Sequence, residues 1–461
     1  MAREGAARAV GRPGLLMEAV AEDTAKSELE RSLVESFREK RSQRDPQWLV
    51  EIRRAAMERL REIGFPTVRD EDWKYTNVAP ILKVPFMETS ETELQPVRLG
   101  ERPHPDPLPE GEGTQLVFIN GHYRSDLSSA GNGDGLQIGS LREVLATRPD
   151  DARPYLAKIA RQANGFAAAN AALLEDGAFV RIPRGIAVAQ PIHLLFLSEA
   201  AFGPTLSHPR NLVIAEPGSQ AAIVETYIGT AGELYFTNSV TEVNVGDGAN
   251  LDMYKVERES TAAYHVATME VHQERDSRFT SNSITLGGAI ARNDLIVRLE
   301  AEGADCTLNG LFIGSGTQHL DNDTLIDHAK PHGTSRELYK GIMDGKSRGI
   351  FHGKIVVRPD AQKTDAMQTN KNLLLSKEAL VNSTPALEIF ADDVKCRHGS
   401  TIGQLDEGAM FYLRSRGIGE EEARDLLVYA FASDVASRIR IAPLRALVEQ
   451  HLGLRLPGGT S

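Results

Sequence analysis

Between Pro217 and Ala361 turn residues recur at a nearly constant spacing, and no other feature of the chain narrows its fold as much. The turns stand at Pro217-Gly218-Ser219, Gly246-Asp247-Gly248, Arg275-Asp276-Ser277, Glu302-Gly303-Ala304, Pro331-His332-Gly333 and Pro359-Asp360-Ala361. Successive turns lie roughly 26 to 30 residues apart, within the range of repeat architectures. Period-two segments follow most of them, such as Gln220-Ala221-Ala222-Ile223-Val224 and Asn250-Leu251-Asp252-Met253-Tyr254. A unit this short cannot bury its own apolar face, so neighbouring units must stack and share one core. A parallel β-helix accounts for this better than a doubly wound sheet, which needs a helix between successive strands. A β-sandwich also spaces short strands regularly and stays open on pattern alone.

Helical signals flank the repeats. Asp23 to Lys40 is rich in helix formers. Asp45 is then a candidate cap and Pro46 suits a first helical position. Trp48, Ile52, Ala56, Leu60 and Ile63 follow on one face, until Gly64 and Pro66 end the helix. From Glu101 to Gly113 alternating prolines predict an exposed extended linker or inserted loop. Helical signals return from Leu141 to Leu174, followed by strands at Ala178 to Ile182 and Pro191 to Leu197. Beyond the repeats, Met410 to Arg416 reads as a short helix stopped by Gly417. A longer helix opens at Glu420, with Ala423, Leu426, Leu427, Ala430, Phe431 and Val435 as its buried stripe, and a last one runs from about Pro443 to Leu452.

Composition removes several function classes. A formal charge of -12 over 461 residues argues against nucleic-acid binding, which needs a dense positive face. No apolar stretch approaches the ~20 residues that cross a bilayer. The start of the chain lacks a secretory pattern, so it reads as a disordered tail, with an organelle-targeting peptide as the alternative, and a cytoplasmic location is expected. Cys306 and Cys396 are the only cysteines, too few for a disulfide framework or a self-contained four-cysteine site. There is no phosphate loop, dinucleotide fingerprint or nucleophile elbow, so the chain has no nucleotide site of its own and energy for a cyclic process must come from a partner.

Two constellations could carry chemistry. In Cys396-Arg397-His398 a thiolate and an imidazole, ligands of zinc and iron, stand two residues apart and share one face of a strand. Two ligands fall short of the three or four that a stable site needs, so others must come from the fold or from another chain. Asp321, Asp323, Asp327, His328 and His332, near His319, would suit a divalent metal or acid–base work, although their spacing matches no metal motif. His352 reads as a lone, buried strand histidine and Cys306 as a small core residue.

Several long motifs occur in the order of a known family. Asn382-Ser383-Thr384-Pro385-Ala386-Leu387-Glu388-Ile389, then Ala391-Asp392-Asp393-Val394-Lys395-Cys396-Arg397-His398-Gly399, resembles the signature of the SufB/SufD iron–sulfur cluster assembly scaffolds. Gly349-Ile350-Phe351-His352-Gly353 and Phe411-Tyr412-Leu413-Arg414-Ser415-Arg416-Gly417 are similar too, and the likeness runs from about Gly165 to Arg440. Glu71-Asp72-Trp73-Lys74-Tyr75-Thr76 and the scarcity of cysteines point to the SufD side of the family.

The resemblance implies a mainly β chain: a right-handed parallel β-helix (β-solenoid) core flanked by helical regions. The expected division is a disordered tail over 1–20, an N-terminal helical region over 21–175 with the Pro-rich insert at 101–113, the β-helix over 176–405 and a C-terminal helical domain over 406–461. It implies a non-enzymatic scaffold subunit of a SufBCD-type complex, with a SufB-like subunit pairing on the last β-helix strands and a SufC-like ABC-type ATPase docking on the C-terminal helices. Phe411, Tyr412, Arg414, Arg416, Gly417, Leu426, Leu427 and Phe431 are the expected partner-binding residues. His398 and Cys396 match the family's Cys-x-His, implicated in handling iron or a cluster held transiently at the subunit interface. Two other readings stay open: a β-helix polysaccharide-cleaving enzyme using Asp321, Asp323 and Asp327, and a structural homodimer without metal.

Overall fold

The computed structural model describes residues 27–39, 45–89, 113–129, 135–200 and 203–455. The tail expected over 1–20, the insert up to residue 112, and residues 23–26 and 40 of the first expected helix lie outside the described residues.

From Arg210 onward the strands alternate between two sheets. One sheet holds Arg210–Ala215, Tyr235–Val245, Tyr264–Gln273, Ile290–Leu299, His319–His328, Arg348–Val357 and Leu380–Ile389. The other holds Gln220–Gly229, Asn250–Arg258, Arg278–Thr285, Asp305–Gly314, Thr334–Met343, Asp365–Leu374 and Lys395–Gly403. Each strand pairs in parallel with the next but one, so one repeat of sequence is one coil of a β-solenoid of about 8 turns. A sandwich would pair sequence neighbours antiparallel, and this arrangement does not.

The repeated turns stack on one another. The amide of Gly218 donates to the Asp247 carbonyl at 2.8 Å, Gly248 to Arg275 at 2.8 Å and Asp276 to Glu302 at 3.0 Å. The ladder goes on from Gly303 to Pro331 at 3.2 Å, His332 to Gln362 at 2.9 Å and Lys363 to Asp393 at 2.7 Å. All six donors have positive φ, which the glycines adopt freely and Asp276, His332 and Lys363 adopt against their Cβ preference. The second corner of each coil has no such uniform composition, ranging from Glu259-Ser260-Thr261-Ala262 to Ser315-Gly316-Thr317-Gln318.

Inside the coil, exact register turns sequence repeats into columns. Val213, Val243, Val271, Val297, Ile326, Ile355 and Leu387 form one, each residue opposite the next. Branched side chains suit such stacking on a pleated surface.

The amino-terminal end of the solenoid is closed. Gln137–Ser140 pairs antiparallel with Ala178–Ile182 on one sheet, and His122–Tyr123 turns back antiparallel on Thr114–Ile119 on the other. The segment expected to be helical over 21–175 therefore also supplies strands to both sheets. Its helices Gln47–Ile63 and Gly165–Leu173 pack together beside the first sheet, bringing Ala56, Leu60 and Phe166 against Phe236. A Cβ on Gly165 would lie 2.3 Å from the Gly64 carbonyl oxygen, so this crossing requires glycine. Asp45 does not cap the first of these helices; Pro46 occupies the cap position, and Asp45 pairs with Arg53 at 3.2 Å.

The carboxy-terminal helices Glu407–Ser415, Glu420–Ala436 and Ala442–Arg455 follow the solenoid. Val428, Ala432, Val435, Leu444 and Val448 cover Val256, Leu311 and Ile342 on the outer face of the second sheet. The buried stripe of Glu420–Ala436 is Ala423, Val428, Ala432, Val435 and Ala436. This differs from the expected stripe: Leu426 and Ala430 are exposed, while Leu427 and Phe431 are half-buried. The helix turns its smaller residues to the sheet, which permits close approach, and leaves larger ones outside. No helix among the described residues is long and apolar enough to cross a membrane.

Candidate functional site

Opposite the closed end, the solenoid has no cap among the described residues. Among the described residues, Leu380–Ile389 and Lys395–Gly403 are the terminal strands of their sheets, each paired on one side only. Two columns of the interior lead to this end. One runs Leu251, Phe279, Cys306, Ser335, Ala366, Cys396, and the other runs Met253, Ser281, Leu308, Glu337, Gln368, His398. Cys396 and His398 thus occupy positions that are sealed in every earlier coil. The next coil is what they lack: Cys396 is half-buried against the core and His398 is exposed. Burial raises the Cys396 thiol above its ordinary pKa, so a ligand thiolate here needs a nearby positive charge or metal. Below His398, Gln368 donates to Glu337 at 2.7 Å, and burial pushes the Glu337 carboxyl up to about 7. Leu380, Ile389, Phe390 and Ile402 add exposed apolar surface to the same end.

A second exposed surface lies on the carboxy-terminal helices. Glu407–Ser415 buries none of its residues, although Asp406 caps it through the Ala409 amide at 2.7 Å. Phe411 is 75% exposed and Tyr412 57%. Leu426 and Tyr429 are also exposed, whereas Arg416 stacks on Tyr412 and Arg414 pairs with Glu420 at 3.3 Å. Gly417, at φ 88°, ends this helix in a conformation that side chains disfavour. Phe431 is turned inward, its carbonyl and ring both held by Lys340.

The histidine and carboxylate cluster read from the sequence divides between two faces. His328 points into the solenoid, where it bonds Ser335 at 2.9 Å and burial lowers its pKa to about 4. His332 lies in a stacked turn. Asp327 accepts both arms of Arg358, at 2.8 and 2.6 Å. Asp321 and Asp323 point outward and share Arg292, at 2.5 and 3.1 Å, with Asp294 at 2.8 Å from the same guanidinium. No two of these carboxylates stand free as an acid–base pair. Burial and neighbouring acids push the Asp294 carboxyl up to about 7.

Sequence reasoning did not find what lies over this face. The segment Glu71–Thr76 crosses it as a strap: Arg292 donates to the Asp72 carbonyl at 2.9 Å and stacks on Trp73, while the Thr76 hydroxyl donates to Asp321 at 2.5 Å. His352, read as a lone buried histidine, is instead half-buried on the outer face, with Nδ1 3.0 Å from Asp323. The available signal was the repeat, since Asp323 and His352 are in register on adjacent coils. Beside the strap runs an open groove of about 720 Å³, lined by Arg161, Glu270, Arg292, Asp323, His352 and Lys354 among others.

Comparison with known proteins resolves the identity of this arrangement. Residues 196–431 match the family described as "SUF system FeS cluster assembly, SufBD core domain", and residues 27–194 match the "SufBD protein N-terminal region". The chain belongs to the SufBD family. Its similarity to an iron-sulfur cluster assembly SufBD family protein of Synechocystis is 33% identity, over 88% of this chain and 91% of that one. Similarity to the iron-sulfur cluster assembly protein SufD of Escherichia coli is 32%, over 87% and 92%. SufD of Bacillus subtilis is 26% identical, over 90% and 95%. In SufBD terms the strap lies in the N-terminal region and Arg292, Asp323 and His352 in the core domain, so this contact ties the two parts together. Cys396, His398 and the exposed Phe411 all lie within the core match.

Proposed function

We propose that this SufBD protein is a non-enzymatic scaffold subunit that completes a cluster-assembly site with a SufB-like subunit at the open end of its solenoid. The observation that carries the reading is the position of Cys396 and His398 at the ends of two interior columns, on a terminal strand whose outer edge is unpaired among the described residues. A second chain that continues the sheets would supply the missing coil and the remaining ligands for iron or a nascent cluster, which passes through as cargo. Exposed apolar residues at that end and the unpaired outer edge of each strand support pairing by strand addition. A SufC-like ABC-type ATPase docks on Glu407–Ser415 and the outer side of Glu420–Ala436, where Phe411, Tyr412 and Leu426 lie uncovered. ATP binding there would reposition the two scaffold subunits. The reaction belongs to the cytoplasm.

The test is anaerobic co-purification of the tagged chain with SufB-like and SufC-like partners, with iron and acid-labile sulfide assayed on the complex. Iron and sulfide that appear only with the partners support a shared site. His398→Ala should leave the complex assembled and abolish cluster formation; unchanged cluster yield overturns the role of His398. A chain that stays apart from both partners and dimerises without metal would favour the homodimer.

A further inference from the structure

We propose that Asp72, Asp323 and His352 form a binding site for a divalent first-row transition-metal ion, closed by the Glu71–Thr76 strap over the outer face of the solenoid. One potential ligand atom from each of the three lies within 4.8 Å of the others. Two carboxylates and an imidazole are a donor set for such ions. The separation of His352 Nδ1 from Asp323 Oδ2, 3.0 Å, is that of neighbouring ligands about an ion with bonds of about 2.1 Å. An ion there replaces this hydrogen bond, and the imidazole keeps its single proton on Nε2. Asp72 is exposed and on the strap, so its carboxylate is free to close the set.

A second observation lies beside the triad. Asp321 is 1% exposed, and its Oδ1 has no hydrogen-bond partner, whereas Oδ2 is engaged by Thr76 and Arg292. Asp321 lines one small cleft together with Asp72, Tyr75, His352 and Thr384. A buried carboxylate oxygen without a donor is costly unless a cation or an ion-bound water meets it. The charge balance agrees. Arg292 brings one positive charge to the carboxylates of Asp321 and Asp323, Asp72 adds a third negative charge, and Lys74 is already paired with Glu71 at 3.0 Å. A divalent ion offsets this excess.

The site is independent of Cys396 and His398, which face the interior of the other sheet, and does not rest on the assembly reading. Mn²⁺ titrated into the full-length chain, with bound ion counted by electron paramagnetic resonance, tests it. One ion should bind per chain, with nitrogen modulation from an imidazole in the spin-echo spectrum. Asp72→Asn should weaken binding at least about tenfold, because even groups behind the ligands are worth that much. As Asp72 is exposed, this variant should fold as the wild type does, which its thermal transition checks. His352→Gln should remove the nitrogen modulation. Failure of the wild type to take up a stoichiometric ion overturns the site, as does undiminished binding by either Asp72→Asn or His352→Gln.

Discussion

The guanidinium carbon of Arg292 lies 3.8 Å from the centre of the Trp73 ring, which places a residue of the solenoid against a strap more than two hundred residues away in sequence. Arg292 is fully buried, and on its far side it holds Asp294, Asp321 and Asp323. One side chain therefore both compensates a cluster of buried acids and anchors the strap. Arg292→Ala should cost about 3–5 kcal/mol, since it leaves those carboxylates without their counter-charge. Chemical denaturation measures the loss, and limited proteolysis should cut near Trp73 in the variant first.

The open end allows a test of strand addition that spares the fold. In Lys395–Gly403 the Lys395 amide donates inward to the Thr364 carbonyl, so by alternation the amides of His398, Ser400 and Ile402 face the free edge. Ile402→Pro removes an outward donor and no ladder bond within the chain. Thermal stability should change little, while binding to the SufB-like subunit falls sharply in a pull-down or by calorimetry. A loss of folded chain would mean that the edge is not free.

The buried carboxyl of Glu337 gives the fold a pH dependence with a definite sign. Its pKa is raised to about 7, so between the unfolded value near 4.5 and about 7 the folded chain binds more protons than the unfolded one. Its contribution is favourable below that window and is lost as pH rises through it, at up to about 1.4 kcal/mol per pH unit. Glu337→Gln keeps a polar group beside Gln368 but does not titrate. Stability of wild type minus variant, followed by urea unfolding across this window, should fall with rising pH.

Phe411→Asp separates docking from folding. The ring is largely exposed and touches no core cluster, so the change should move stability by no more than about 0.5 kcal/mol. If Phe411 anchors the ATPase, affinity should drop by about 2 kcal/mol or more, roughly thirtyfold. Calorimetry with the purified SufC-like partner reads the difference.

The sequence alone was enough for the solenoid and the family, because coils of a repeat contact only their neighbours. Each turn must meet the same steric demand, and that demand is written as Gly218 and Gly248 one coil apart and Gly303 two coils further on. The other corner carries no uniform residue, so the two-sheet cross-section was not legible. The face turned inward by Glu420–Ala436 was misjudged for a related reason: Leu426 looked buried by hydrophobicity, whereas packing distance selected Ala432 and Ala436. Tertiary structure also decided where Cys396 and His398 stand. A thiol and an imidazole are potential ligands by type, but only the absence of a following coil among the described residues exposes them. The meeting of Asp72 with Asp323 and His352 depends on a strap laid across the solenoid by the amino-terminal helices, a contact between distant segments that no local pattern encodes.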